Sequence, residues 1–286
     1  MTNKSEDRTQ SITNLAFADE AWHNTGRFRS VAAVTMKATE AMGIRDELVW
    51  CLEKSGIREF KWAKLRTAQY RFAALHLLDF IIDAILTNRI RVDVLLWDTE
   101  DSRHRIPGRC DVRNLRRMYY FLFRNVLLNR WPLHAVWAFY PDENSAVNWD
   151  SIGFYLEEVI DFESGELKAE LDIPEIVQTR SESEPFIQIC DLFAGLAVFS
   201  RASYEKLAQW LVASSSNVVA ESGPIVVSNA DRERFIVIKY LNNRCKHYKL
   251  GISLVKSRGL RSFNPEKPIN FWWYEPQGDY DRAPTY

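Results

Sequence analysis

Arg91–Asp98, RVDVLLWD, is the stretch on which the fold turns. Its Val94–Trp97 run is apolar at every position, so whichever way the two-residue alternation points, both faces of the strand need cover. A strand covered on both faces belongs inside a sheet flanked by helices, which makes the chain α/β. Upstream, residues 67–88 carry Leu75, Leu78, Ile81, Ile82 and Ile85 at helical spacing, and residues 39–55 show the same period. Ile57–Trp62 has the length and alternation of a short third strand. Leu15–Glu20 and Phe28–Met36 read as an antiparallel hairpin closed by a loop ending near Gly26. Downstream, after a loop holding Pro107 and Gly108, residues 111–130 read as a helix, His134–Phe139 as a strand stopped at Pro141, and 149–161 as a helix. Residues 161–184 are acidic, with a weak strand or loop at Ile176–Arg180, and an apolar helix begins near Pro185. The expected organisation is a flexible N-terminus (1–13) and one domain (14–286) whose C-terminal part, about 231–286, adds a helix and the aromatic run Phe271, Trp272, Trp273 and Tyr274.

The composition narrows the function classes. At 286 residues and 47% hydrophobic the chain can bury a sizeable core. Thirty-seven Lys and Arg against thirty-eight Asp and Glu leave no whole-molecule field to draw in a polyanion, so any such site is a local patch. Cys51, Cys110, Cys190 and Cys245 form no CxxC pair, which argues against a disulfide framework or thiolate zinc and for a reducing compartment. The N-terminal MTNKSEDRTQS lacks the apolar core of a signal peptide, and no uninterrupted apolar run reaches the roughly 18 residues of a span, so a cytoplasmic location is expected. GxSxG, Walker and GxGxxG patterns are missing, leaving lipase-like, NTPase and dinucleotide-binding classes without support.

The chemistry-bearing residues are carboxylates. In Phe186–Phe199, FIQICDLFAGLAVF, only Gln188 and Asp191 interrupt apolar or small side chains. Three apart, they share a helix face, and Gly195 a turn later leaves room for close approach. A buried aspartate there is either a salt-bridge or hydrogen-bond partner or a metal ligand. Asp98 ends an apolar strand, where ligands gather in open α/β sheets. Asp19 ends the first strand on the side of Leu15 and Phe17, and Glu59 shares a face with Ile57 and Lys61.

These elements together resemble the bacterial domain of unknown function 3800 family. Its opening strand ends Asp-Glu-Ser-Gly, similar to Asp19-Glu20 with Ala21 and Trp22 following; its Glu-x-Lys-Trp element is similar to Glu59, Phe60, Lys61 and Trp62; its Ile-Gln-x-x-Asp-Leu helix is similar to Ile187–Leu192. The resemblance implies a ribonuclease H-like fold: a mixed sheet, antiparallel hairpin plus parallel strands, flanked by helices. It further implies that acids from the first strand, the segment after the hairpin, the fourth strand and a late helix converge on divalent metal. Here these are Asp19, Glu59, Asp98 and Asp191, catalytic and metal-holding, with Mg²⁺ or Mn²⁺ suited to such hard oxygen ligands. Lys61, Gln188 and Glu20 take auxiliary roles.

Nucleic acid is the expected partner. Eight arginines against Asp111 alone lie between Arg103 and Arg130; Arg103, Arg105, Arg109, Arg113, Arg116 and Arg117 can hold a phosphate backbone, or form a solvated face pairing with the acidic 161–184 stretch. The leading expectation is a metal-dependent nuclease or related phosphoryl-transfer enzyme. Its competitors are a non-catalytic nucleic-acid- or protein-binding module of a defence or toxin-type system, self-associating or with a protein partner, and a small-molecule hydrolase using the same carboxylates.

Overall fold

The computed structural model describes residues 11–21, 26–101, 110–143, 147–160, 167–214 and 227–275. Strand β1 (Asn14–Ala21) pairs antiparallel with β2 (Phe28–Lys37), setting Asp19 opposite Ala32. Helix α1 (Ala41–Lys54) and helix α2 (Ala68–Leu86) follow, and the latter is started by the Thr67 hydroxyl accepting from Tyr70 N–H. They lead to β3 (Ile90–Asp98), which returns antiparallel to β2 and is buried at all nine positions. Helix α3 (Asp111–Arg130) then brings the chain to β4 (Val136–Pro141), parallel to β1. After α4 (Trp149–Glu157) and the small ribbon β5 (Glu158–Ile160) with β6 (Leu167–Glu170), strand β7 (Asp172–Ile176) adds parallel to β4.

Helices α5 (Pro185–Ala202), α6 (Tyr204–Ala213) and α7 (Asn229–His247) come next, then the ribbon of β8 (Ile252–Ser253) and β9 (Arg261–Ser262). Strand β10 (Ile269–Trp273) closes the order β10-β3-β2-β1-β4-β7. This is an α/β fold in which an antiparallel hairpin and parallel strands share one mixed six-stranded sheet flanked by helices.

Two apolar layers cover the sheet. On one face α1, α2, α5 and α7 pack over Phe17, Ala32, Val34, Val92, Val94 and Leu96; on the other, α3 and α4 pack over Ala16, Ala18, Val31, Leu95 and Trp97. The small side chains of β1 and β2 let α5 lie close, and the Ser30 hydroxyl donates to the Ala194 carbonyl of that helix at 2.9 Å. Helix α5 is long and apolar enough to cross a membrane, yet 83% of it is buried within the protein, so its apolarity is that of a core helix.

Two expectations change. Ile57–Trp62 is no strand: its N–H groups at Phe60 and Trp62 donate to side chains of α5, which replace a neighbouring strand. The aromatic run, read as part of a C-terminal extension, is β10 of the main sheet, parallel to β3, where its apolar residues cover the β3 edge.

Candidate active site

Helix α5 organises the site. Its start is fixed by Pro185 in the first turn and by the Glu184 carboxylate accepting from Phe186 N–H at 3.3 Å. Gln188, Asp191 and Gly195 then act as a cradle for the extended segment 59–62. The Gln188 side-chain oxygen accepts from Phe60 N–H at 2.7 Å while its amide donates to the Ser181 carbonyl at 2.7 Å. The Asp191 Oδ2 accepts from Trp62 N–H at 2.7 Å. Gly195 lies under the indole: a Cβ there would sit 2.2 Å from Trp62 Cγ, closer than any real contact allows. Phe60 and Trp62 are thereby buried, and the residues alternating with them, Glu59 and Lys61, remain partly exposed. Glu59 accepts from the Ser181 hydroxyl at 2.9 Å and pairs with Lys64 at 3.1 Å and Lys61 at 3.7 Å. Burial alone would raise its pKa, but Ser181 and the two lysines outweigh burial and hold it below the usual value.

Opposite this segment two parallel strands end. Asp19, near the end of β1, points to the α5 side and is buried; its Oδ1 accepts from Glu20 N–H at 2.7 Å. Strand β4 ends at Pro141, and the next residue, Asp142, donates its N–H to the Ala18 carbonyl at 2.8 Å, which ties it beside β1. Asp142 also accepts from the N–H groups of Glu143 and Ser181 and faces the Lys61 ammonium.

Asp19, Asp142 and Asp191 consequently share one electrostatic environment. The Asp19 pKa is pushed well up, first by burial and then by Asp191, Glu20 and Asp142. Asp191 is pushed up to about 6, by burial first, with Asp142 and Glu59 adding to it and Trp62 N–H and Lys61 opposing. The Asp142 carboxyl is raised by burial, with Lys61 the chief opposing influence. Proton affinities displaced toward neutrality are what acid–base chemistry and cation binding both need.

The structure therefore brings Asp19, Asp191, Glu59, Lys61 and Gln188 together and leaves Asp98 out. Asp98 is held by Arg27 through three hydrogen bonds to its two carboxylate oxygens, the shortest 2.7 Å, and it lies within the field of Arg201. Arg201 is ten residues beyond Asp191 on α5, about 15 Å along the helix. Because Ile57–Trp62 docks on α5 and is not a strand, β3 is the third strand and not the fourth, and the acid that follows the fourth strand, β4, is Asp142. VWAFYPD carried the same signal as VLLWD, an apolar strand ending on aspartate, and the count hid it.

Glu20 points to the opposite face, where its carboxylate accepts from the Tyr119 hydroxyl. Among the described residues no three His, Cys, Asp or Glu side chains form a ready-made metal cage. Arg113, Arg116 and Arg117 lie on the first turns of α3, whereas Arg103, Arg105 and Arg109 fall outside the described residues.

No family model matches the sequence. The chain is 39% identical over 283 residues to the uncharacterized protein ORF2′ of Methanothermobacter thermautotrophicus, covering 94% of this chain and 97% of that one. It is 36% identical to the uncharacterized protein ORF2 of the same organism, covering 95% and 98%. At that identity over nearly the whole of both chains, the protein belongs to the family that contains ORF2 and ORF2′.

Proposed function

We propose that the chain hydrolyses phosphodiester bonds in nucleic acid, with Asp19, Asp142 and Asp191 as the reacting carboxylates. The observation that carries this reading is their meeting at the carboxyl ends of the adjacent parallel strands β1 and β4, under the polar face of α5. The strand order β3-β2-β1-β4-β7, antiparallel then parallel, supports the ribonuclease H-like resemblance and, through it, the domain of unknown function 3800 family. Four free cysteines suit work in a reducing cytoplasm.

Mg²⁺ or Mn²⁺ fits the donor set. Mg²⁺ keeps several waters and binds through one or two carboxylates plus substrate phosphate, so Asp19 and Asp191 suffice where a closed cage of three is missing. Bound there, the ion would supply Lewis-acid polarisation of the phosphate and a more acidic water. The chain's own residues do the rest. Lys61, held by Glu59 and by the docking of Trp62, presents an ammonium to the phosphate oxygens as charge develops. Asp142, itself near Lys61, accepts a proton from the attacking water. Gln188 positions Lys61 through Phe60.

The test is cleavage of pooled DNA and RNA in Mg²⁺, in Mn²⁺ and in EDTA. Asp19→Asn, Asp142→Asn and Asp191→Asn should each lower the rate by about 100-fold or more, and Asp98→Asn should leave it within about threefold of wild type. Wild-type activity surviving in Asp142→Asn would remove the proposed base. The bond from Trp62 N–H to Asp191 favours a second reading, a non-catalytic binding module, in which the same substrates bind and stay whole in both metals.

A further inference from the structure

A cavity of about 590 Å³ lies away from the carboxylates. It lies on the other face of the sheet, between the second half of α3 and strand β10, and its volume falls within the range of small-molecule sites. Asn270 pairs with Asp93 on β3, and Trp272 with Leu95, so the side chains of β10 that face α3 form its floor. Its wall on α3 is the helical stripe Phe121, Arg124, Asn125 and Leu128.

Three properties identify an occupant. The lining carries three guanidinium groups, of which Arg130 is already paired with Glu266 at 2.5 Å, so Arg124 and Arg261 against the one lining carboxylate, Glu275, make it favour an anion. Phe121 and Tyr274 have ring centroids 5.2 Å apart, and with Trp272 they give the cavity flat apolar surfaces for a planar group. Two buried polar atoms of the lining residues, Asn270 Oδ1 and Arg130 Nε, have no hydrogen-bond partner, one wanting a donor and the other an acceptor. The Asn270 amide is itself fixed, donating to Asp93 Oδ1 at 3.1 Å and to the Pro265 carbonyl at 2.8 Å, and its oxygen is left without a donor beneath the cavity floor. An anion joined to a planar, hydrogen-bonding ring is a nucleoside phosphate.

We propose that this cavity is a nucleotide-binding site, with Arg124 and Arg261 on the phosphate and Phe121 and Trp272 against the base. The occupant is either a free mononucleotide or one unit of a single strand, since both present the same chemistry. A second cavity of about 190 Å³ adjoins it, sharing Arg261, Trp272, Trp273 and Glu275, and gives a strand a continuation past the sheet edge.

The experiment is isothermal titration calorimetry in EDTA on the Asp191→Asn protein, which keeps the result independent of cleavage. Probes are adenosine and cytidine 5′-monophosphate, adenosine, inorganic phosphate, and ten-residue oligonucleotides. Mononucleotides should bind about tenfold or more tightly than either adenosine or phosphate, and Arg124→Gln and Arg261→Gln should each lower affinity about tenfold, as loss of a charge-assisted hydrogen bond does. A mononucleotide-induced rise in melting temperature, present in wild type and missing in Phe121→Ala, guards against variants that are merely unfolded. Oligonucleotides binding more tightly than mononucleotides assign the site to a strand, and equal affinity assigns it to free nucleotide; both uphold it. Phosphate binding as tightly as nucleotide, or both arginine variants binding as wild type does, would overturn it.

Discussion

Asp191 concentrates the chemistry of the site in one titration. Its folded-state pKa, about 6, lies above the ordinary carboxyl value of 3.8, so the folded protein holds this proton more tightly than the unfolded chain. Stability from this group is therefore full below about pH 3.8 and is lost progressively from there as pH rises through about 6, a cost of roughly 3 kcal/mol by pH 8. Asn at this position keeps an acceptor for Trp62 N–H and removes the charge. Asp191→Asn should accordingly melt at or above the wild type at pH 8 in EDTA, and the two should converge only near or below about pH 4, where the carboxyl is protonated in folded and unfolded chains alike. Magnesium at about 100 times its dissociation constant should raise wild-type stability by about 2.7 kcal/mol and do little for the variant. A loss of about 3 to 5 kcal/mol in Asp191→Asn at pH 8 would instead make it the buried partner of Lys61. The sequence made Asp191 and Gln188 legible because two polar residues in an otherwise apolar helix demand partners. It could not show that those partners are the backbone N–H groups of Trp62 and Phe60, since backbone donors leave no mark in residue identity.

At the scale of elements, the helices were the more legible: α3 spans residues 111–130 as its apolar period implied, α5 begins at Pro185 as expected, and α2 differs only at its ends. Ile57–Trp62 failed for a physical reason. Alternation of buried and exposed side chains arises equally in a strand and in an extended segment laid along a helix, and only the source of its hydrogen bonds separates the two. With no strand there, the acid that follows the fourth strand is Asp142 and not Asp98. The docking of this segment on α5 is testable through Gly195. Gly195→Ala forces a Cβ into the Trp62 ring and should cost about 1–3 kcal/mol in urea denaturation, with weaker activity because Lys61 moves with Trp62. Wild-type stability and rate in that variant would show that the segment tolerates another seat.

Across the whole molecule, near-zero net charge left only local patches to read, and the α3 arginines are the test of one. Replacing Arg113, Arg116 and Arg117 together by Ala should flatten the salt dependence of nucleic-acid binding by roughly one unit for each phosphate the variant no longer neutralises. An unchanged slope would return these residues to ordinary solvated surface. The sheet offers another test, since ending the chain after Lys267 removes β10 and leaves the buried β3 as an edge. Such a protein should aggregate on expression, as judged by the soluble fraction, whereas removal of β7 from the other end would expose only the short β4. The pairing of β10 with β3 also fixes an order of events during synthesis. Val92 emerges from the ribosome long before its partner Ile269, and at about 5–20 residues per second the interval is on the order of ten seconds or more. For that time the nascent chain carries an apolar strand with one side unpaired. Its yield in the cell then depends on translation speed through residues 99–268 and on chaperones that shield the edge, and slowing ribosomes over that stretch should increase the insoluble share.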